Sequence, residues 1–293
     1  MTTTSSDAYL PPAGAVHAPN QVIETRGRRL AYRSIGHGRP LVLCTRFRGN
    51  IDTWDPAFLD TLAEQGFRVI TFDYSGLGLS TGTPSYNPAS LARDAGDLIE
   101  ALGLDRIVLA GWSIGGVAAQ VALTQYPQLI SHLVLIGTSP PGPLIRQAEQ
   151  LFYDISRKPE NDLIDEGVLF FEPASKQSLQ AAQTSHDRIA ARTTETSVPV
   201  PWRWASEQIA DKPRSQIFLA DPVLDLLKTT SIPVLHIAGD HDICFPVENW
   251  YALSQQLPTL QLLTYPRAGH GPQHQHPQAS AHHIATFVAS TSE

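Results

Sequence analysis

The run Gly111-Trp112-Ser113-Ile114-Gly115-Gly116 sets a serine between small residues, after the apolar stretch Arg106-Ile107-Val108-Leu109-Ala110 and before the helix-like Val117-Ala118-Ala119-Gln120-Val121-Ala122-Leu123. This reads as strand, sharp turn and helix, with Ser113 at the apex in a strained, positive-φ conformation. Its hydroxyl would project beyond the sheet edge, next to the free N–H groups and positive end of the following helix. A serine so placed can act as a nucleophile once a base takes its proton and an acceptor holds that base in one tautomer. Candidates for both lie downstream, each after an apolar run: Gly239-Asp240-His241-Asp242 offers two aspartates, and Ala268-Gly269-His270-Gly271 offers a histidine. The competing reading of the serine segment is a glycine-rich connector, and an aspartate not used in chemistry would cap a turn.

Two other chemistries are weaker. His270, His274 and His276 form an H-x3-H-x-H run with His282 and His283 close behind, but no cysteine or carboxylate lies among them and no metal is expected. In Asp73-Tyr74-Ser75-Gly76-Leu77-Gly78-Leu79-Ser80, Thr81 stands where a nucleotide-binding turn needs its third glycine, and no Gly-Lys-Ser/Thr follows. A structural turn is the expectation there, and no cofactor is implied.

The residues that do this chemistry need a scaffold, and the chain is long enough for one. Its 293 residues, 42% hydrophobic and 17% charged, suit one large α/β domain or a domain with an insertion, in a soluble protein. A net charge of −7 argues against nucleic acid or an anionic membrane as partner and leaves small molecules as the expected ligands, with a homo-oligomer left open. No stretch approaches the roughly 18 apolar residues of a membrane span. Residues 1–20, rich in Thr, Ser, Ala and Pro and without the pattern of a secretory leader, are expected to form a flexible tail. The two cysteines, Cys44 and Cys244, form no disulfide framework, and two thiols in a cytoplasmic protein is the simpler expectation.

Gln21 to Thr25 and Arg29 to Ile35 read as a hairpin turning at Gly27, and Leu41-Val42-Leu43-Cys44 as a third strand. Helix and strand periods then alternate: a helix over Trp54 to Gln65, a strand over Phe67 to Phe72, a helix over Ala89 to Leu102, the strand before Ser113, and a strand over Ser131 to Ile136. From 139 to 230 the alternation breaks into helical patterns and loops, which reads as an inserted helical cap. It resumes with a strand over Pro233 to Ala238, a helix over Val247 to Gln256, a strand over Leu260 to Tyr265 and a helix over Ala279 to Val288. The expected core, 21–138 with 231–293, is therefore α/β, a mostly parallel sheet covered on both faces with its site beyond the carboxyl ends of the strands.

With the serine turn, the downstream acid and histidine, and the D-x-x-G-x-G-x-S turn at Asp73, the chain resembles the α/β-hydrolase superfamily from about Gln21 to Val288. The resemblance implies a nucleophile at Ser113, an acid at Asp242 with Asp240 as second choice, and a base at His270. It also implies an oxyanion hole made by the backbone N–H groups of Phe47 and Ile114. The chain departs from the family pattern at Thr45-Arg46, where His-Gly is usual, while Gly49 is retained. Arg46 and Arg48 could bind an acidic substrate group, but the favoured reading is that they brace the loop by pairing with Asp52, Asp55 or Asp73. Phe152, Tyr153, Phe170, Phe171, Trp202 and Trp204 could line a capped pocket, and Arg46, Trp112, Trp202 and Trp204 are the substrate-binding candidates.

The activity implied is a cofactor-free serine hydrolase acting on carboxylic esters or lactones through an acyl-enzyme. Alternatives within the resemblance are hydrolysis of carbon–carbon bonds in diketones with the same triad, and perhydrolysis of the cofactor-free haloperoxidase type. Epoxide hydrolysis and dehalogenation fit less well, because those branches carry Asp at the position of Ser113. Outside enzymes, a ligand-binding protein that keeps the triad but turns over little would also use a capped pocket.

Overall fold

In the computed structural model, which describes residues 14–218 and 221–292, the strand leading to the serine has no face toward solvent. All six residues of Ile107–Trp112 are buried, as a continuous apolar run in a parallel sheet covered on both sides should be. Ile107 and Leu109 face one core, while Val108, Ala110 and Trp112 face the other. Each large apolar side chain so buried contributes about 1.5–3 kcal/mol relative to exposure.

Among the described residues the sheet has eight strands: β1 (Gln21–Thr25), β2 (Arg28–Ile35), β3 (Arg39–Cys44), β4 (Phe67–Phe72), β5 (Ile107–Trp112), β6 (Ile130–Ile136), β7 (Val234–Gly239) and β8 (Leu260–Tyr265). Their spatial order is β1-β2-β4-β3-β5-β6-β7-β8, antiparallel at β1/β2 and β2/β4 and parallel thereafter. From β3 the chain passes to β4 on one side and then returns to β5 on the other. The carboxyl ends of β3 and β5, aligned with Cys44 opposite Gly111, therefore flank a topological switch point where connecting loops diverge and leave a crevice.

The helices are α1 (Pro56–Glu64), α2 (Pro88–Ala101), α3 (Ile114–Gln125), α4 (Gln150–Ser156), α5 (Leu163–Phe170), α6 (Lys176–Ala190), α7 (Trp202–Gln208), α8 (Val223–Thr229), α9 (Glu248–Tyr251), α10 (Pro272–Gln275) and α11 (Pro277–Thr291). α1 and α11 cover one face of the sheet, and α2, α3 and α8 the other. Both α1 and α2 start at a capping side chain followed by proline: Asp55 accepts from Ala57 N–H and Asn87 from Ala89 N–H.

Helices α4 to α8 lie between β6 and β7 in the chain, and residues of α4 and α5 line the space beside Ser113. α8, which falls within the expected cap, packs on α3 and places Val223 and Leu227 in the main core, so the return to the sheet begins before residue 231. The helix expected over Val247 to Gln256 is shorter, Glu248–Tyr251 followed by turns, and the closing helix is longer, Pro277–Thr291. The tail expected over 1–20 needs correction where it can be seen. Residues 1–13 lie outside the described residues, but Ala15 and Ala18 are buried, and Arg192 donates to the carbonyls of Ala15, Val16 and Ala18. Small apolar side chains with carbonyls satisfied by a cap arginine hold this segment down.

Candidate active site

Ser113 joins β5 to α3 with φ 61° and ψ −126°, the strained conformation expected at the apex of the turn. The flanking glycines permit it. A Cβ on Gly111 would collide with the Gly115 carbonyl, and one on Gly115 with the Cys44 carbonyl, so the helix start can pass close to β3 only without side chains there. The turn is held by Ser113 N–H donating to the Ile136 carbonyl (3.0 Å) and by Thr138 Oγ1 donating to the Ser113 carbonyl (2.6 Å).

The loops after β7 and β8 bring the acid and the histidine to this point. His270 Nε2 lies 2.9 Å from Ser113 Oγ, and His270 Nδ1 lies 2.8 Å from Asp242 Oδ2. The other carboxylate oxygen of Asp242 accepts the backbone N–H groups of Cys244 (2.7 Å) and Phe245 (2.9 Å), which fixes the side chain from behind. All three residues are buried, in a setting where a charge-assisted chain is strong. Asp240 is elsewhere: it pairs with the exposed His241 and accepts from Ala268 N–H, a turn-closing role. The histidine run does not converge either. His274 packs on Trp112 at 4.6 Å and His276 stacks on Tyr265 at 4.5 Å.

Among the described residues, the N–H groups of Phe47 and Ile114 donate to no protein acceptor. Ile114 is the first residue of α3, where an unpaired N–H is inherent, and Phe47 sits in the loop after β3. That loop is well braced despite Thr45-Arg46. Thr53 Oγ1 donates to the Asn50 carbonyl and accepts from Asn50 N–H, Asp73 accepts from Ile51 N–H, and Arg48 N–H donates to the Tyr86 hydroxyl.

Two cavities of about 180 Å³ each meet at Ser113, sharing Phe47 and Phe152. One is polar and includes Arg46, Arg48, Asn161, Glu166 and His270; the other is apolar, walled by Tyr86, Val117, Tyr153, Ile209, Ile217 and Phe245. Of the aromatic residues expected to line a pocket, Phe152, Tyr153 and Phe170 do so. Tyr86, Ile209 and Ile217 carry no spacing signal, since they reach the serine only through tertiary packing, and Phe245, three residues after Asp242, lies 5.5 Å from the His270 ring.

Several expected ligand contacts are corrected. Trp204 stands one layer back, packed on Tyr86, and Trp202 is exposed beneath Arg203, because α7 turns both away from the serine. Trp112 is fully buried, and its Nε1 donates to the His270 carbonyl at 2.7 Å, so it positions the histidine loop. The expected bracing of Arg46 and Arg48 by aspartates is also absent. Asp52 is taken by Arg33, Asp55 by Arg188, and Asp73 by backbone N–H groups and Ser197, while Arg48 donates to cap carbonyls at Ser156, Lys158 and Pro159. Arg46 remains at the cavity, its guanidinium pushed down to about 10 by burial. Cys44 and Cys244 are separate buried thiols, and burial pushes Cys44 up to about 12.

The family description alpha/beta hydrolase fold matches residues 39–277. The chain belongs to the α/β-hydrolase fold family. Within that family, this hydrolase is 28% identical over 268 residues to BpoC of Mycobacterium tuberculosis, a candidate non-heme bromoperoxidase, covering 89% of this chain and 98% of that protein. Among solved structures, it superposes on an alpha/beta hydrolase fold protein from Chitinophaga pinensis with a TM-score of 0.82 at 28% identity, covering 95% of this chain and all of that one. An esterase from Thermogutta terrifontis aligns with a TM-score of 0.69 at 25% identity, over 94% of the hydrolase and all of the esterase. No helix among the described residues of the hydrolase is long and apolar enough to cross a membrane.

Proposed function

We propose that the protein is a cofactor-independent serine hydrolase of carboxylic esters, lactones included. The observation that carries this reading is the unbroken Ser113 Oγ, His270 Nε2, His270 Nδ1, Asp242 Oδ2 chain at 2.9 and 2.8 Å. In this reading His270 takes the proton as Ser113 Oγ attacks the carbonyl carbon, and Asp242 holds the imidazole in the tautomer that presents a free Nε2. The negative charge that develops on the carbonyl oxygen is met by the N–H groups of Phe47 and Ile114, each such donor being worth roughly 3 kcal/mol. His270 then returns its proton to the leaving oxygen. A water deprotonated by the same nitrogen releases the acyl group and regenerates the serine.

Two adjoining cavities suit a substrate with two unlike halves on either side of the attacked carbonyl. Incubation with a fluorophosphonate probe, followed by mass spectrometry of the labelled peptide, tests the nucleophile without knowledge of the substrate. Labelling at Ser113, absent in a folded Ser113→Ala variant, is the expected result. Folded wild-type protein that resists the probe would overturn the hydrolase reading and favour a ligand-binding role.

A further inference from the structure

Arg46 carries a half-buried guanidinium that pairs directly with no carboxylate among the described residues, although Glu166 acts on it from across the cavity. Its Nη1 donates to the neighbouring Phe47 carbonyl at 2.9 Å, and its Nε is closed off from solvent without an acceptor. Among the described residues Nη2 makes no hydrogen bond, and no carboxylate lies within ion-pair distance. The rings of Phe170 and Trp112, 4.6 and 5.3 Å from its Cζ, hold the group in place. Nearby arginines are matched by contrast: Arg33 reaches Asp52 and Arg188 reaches Asp55, each at 2.5 Å. Drawing an unpaired charge even half out of water is costly to the fold, and a donor fork left open is suited to a planar anion.

The cavity Arg46 borders is also the cavity of Ser113 and His270. Two other charged groups line it. Arg48 is spent on the carbonyls of Ser156, Lys158 and Pro159, and Glu166, hydrogen-bonded to the exposed His186 at 3.0 Å, acts on Arg46 through space without reaching it. Arg46 is therefore the cation beside the serine whose donors are still open. We infer that Arg46 anchors a carboxylate of the substrate, so that the protein acts on esters bearing a free carboxylate group. This inference rests on the serine-hydrolase reading for its chemistry but not for its binding site.

Two matched pairs of esters place the charge in either half of the substrate. The acyl half is probed with 4-nitrophenyl hydrogen adipate against 4-nitrophenyl hexanoate, and the alcohol half with 3-carboxyphenyl butyrate against phenyl butyrate. In at least one pair the charged ester is expected to be preferred in kcat/KM, mainly through KM. The preference should shrink by roughly 30-fold or more in Arg46→Gln and return in part in Arg46→Lys. Equal kcat/KM within both pairs for the wild type, or a preference that survives Arg46→Gln, overturns the inference. Calorimetric titration of Ser113→Ala with the same esters needs neither turnover nor an Arg46 variant. Tighter binding of a charged ester supports the anion site even if no hydrolysis is found. Fluorophosphonate labelling of Ser113 without any charge preference leaves the hydrolase reading standing and removes this one.

Discussion

Two aspartates stand two residues apart after β7, and their surroundings assign them different work. Asp242 presents one oxygen to His270 and the other to two backbone N–H groups, so its carboxylate is held in place and kept from water. Asp240 pairs with the exposed His241 at the rim. Asp242→Asn is expected to keep the fold and lower kcat by about 10⁴-fold, because an amide favours the wrong imidazole tautomer. Asp240→Asn should change stability by no more than about 0.5 kcal/mol and leave fluorophosphonate labelling at its wild-type rate. Ester hydrolysis and labelling rates for the two variants decide the matter. Reversed effects would make Asp240 the acid.

At the scale of elements, the candidate site depends on how the segment between β6 and β7 is fastened to the loops beside Ser113. Asp55 caps α1 through Ala57 N–H and, with its side chain fully buried, receives both Nε (2.8 Å) and Nη2 (2.5 Å) of Arg188 from the cap helix α6. A second fastening joins the cap residue Ser197 to Asp52 and Asp73, which also hold the loop after β3. Removing Asp55 loses a helix cap and leaves a guanidinium unmatched. Asp55→Ala should therefore cost roughly 2–4 kcal/mol in urea unfolding and raise hydrogen exchange across Lys176–Ala190. A loss under about 1 kcal/mol with unchanged exchange would show that α6 is held by apolar packing alone.

For the whole molecule, three buried histidines set an acid limit. Burial lowers His132 to about 4, His236 to about 3 and His274 to about 4, from an ordinary 6.5. As pH falls through 6.5 the unfolded chain takes up these protons while the folded chain does not. The stability they protect is thus complete above 6.5 and is lost on the way down to about 4, on the order of 1–2 kcal/mol per histidine between pH 7 and pH 5. Asp60 and Asp73, pushed up by burial, oppose this only nearer the carboxylate range. Urea unfolding at the two pH values measures the loss, and His236→Phe, which keeps a ring against Trp250, should reduce it by about a third. Equal stability at pH 5 and pH 7 would mean that these histidines are solvated.

Local patterns in the chain sufficed for the serine turn and the parallel sheet, and they marked Ser113, the two aspartates after β7 and His270 as groups that the strand ends could bring together. A strand, a turn between glycines and a helix are determined within a dozen residues, and the apolar runs ending before Gly239 and before Ala268 mark the loops that carry the other two groups. The partners of the charged groups were beyond the reach of such patterns. Arg46 has Asp52, Asp55 and Asp73 close by in sequence, yet these carboxylates are claimed by Arg33, Arg188 and Ser197 from β2 and the cap. Likewise Trp202 and Trp204 have the side chains of a binding wall but are turned from the serine by the orientation of α7. Spacing along the chain sets which backbone conformations form. Which charge is neutralised, and which is left facing the cavity, follows from contacts between separate elements, 19 residues apart for Arg33 and Asp52 and more than a hundred for Arg188 and Asp55 or Ser197 and Asp73, and only the packed structure decides those.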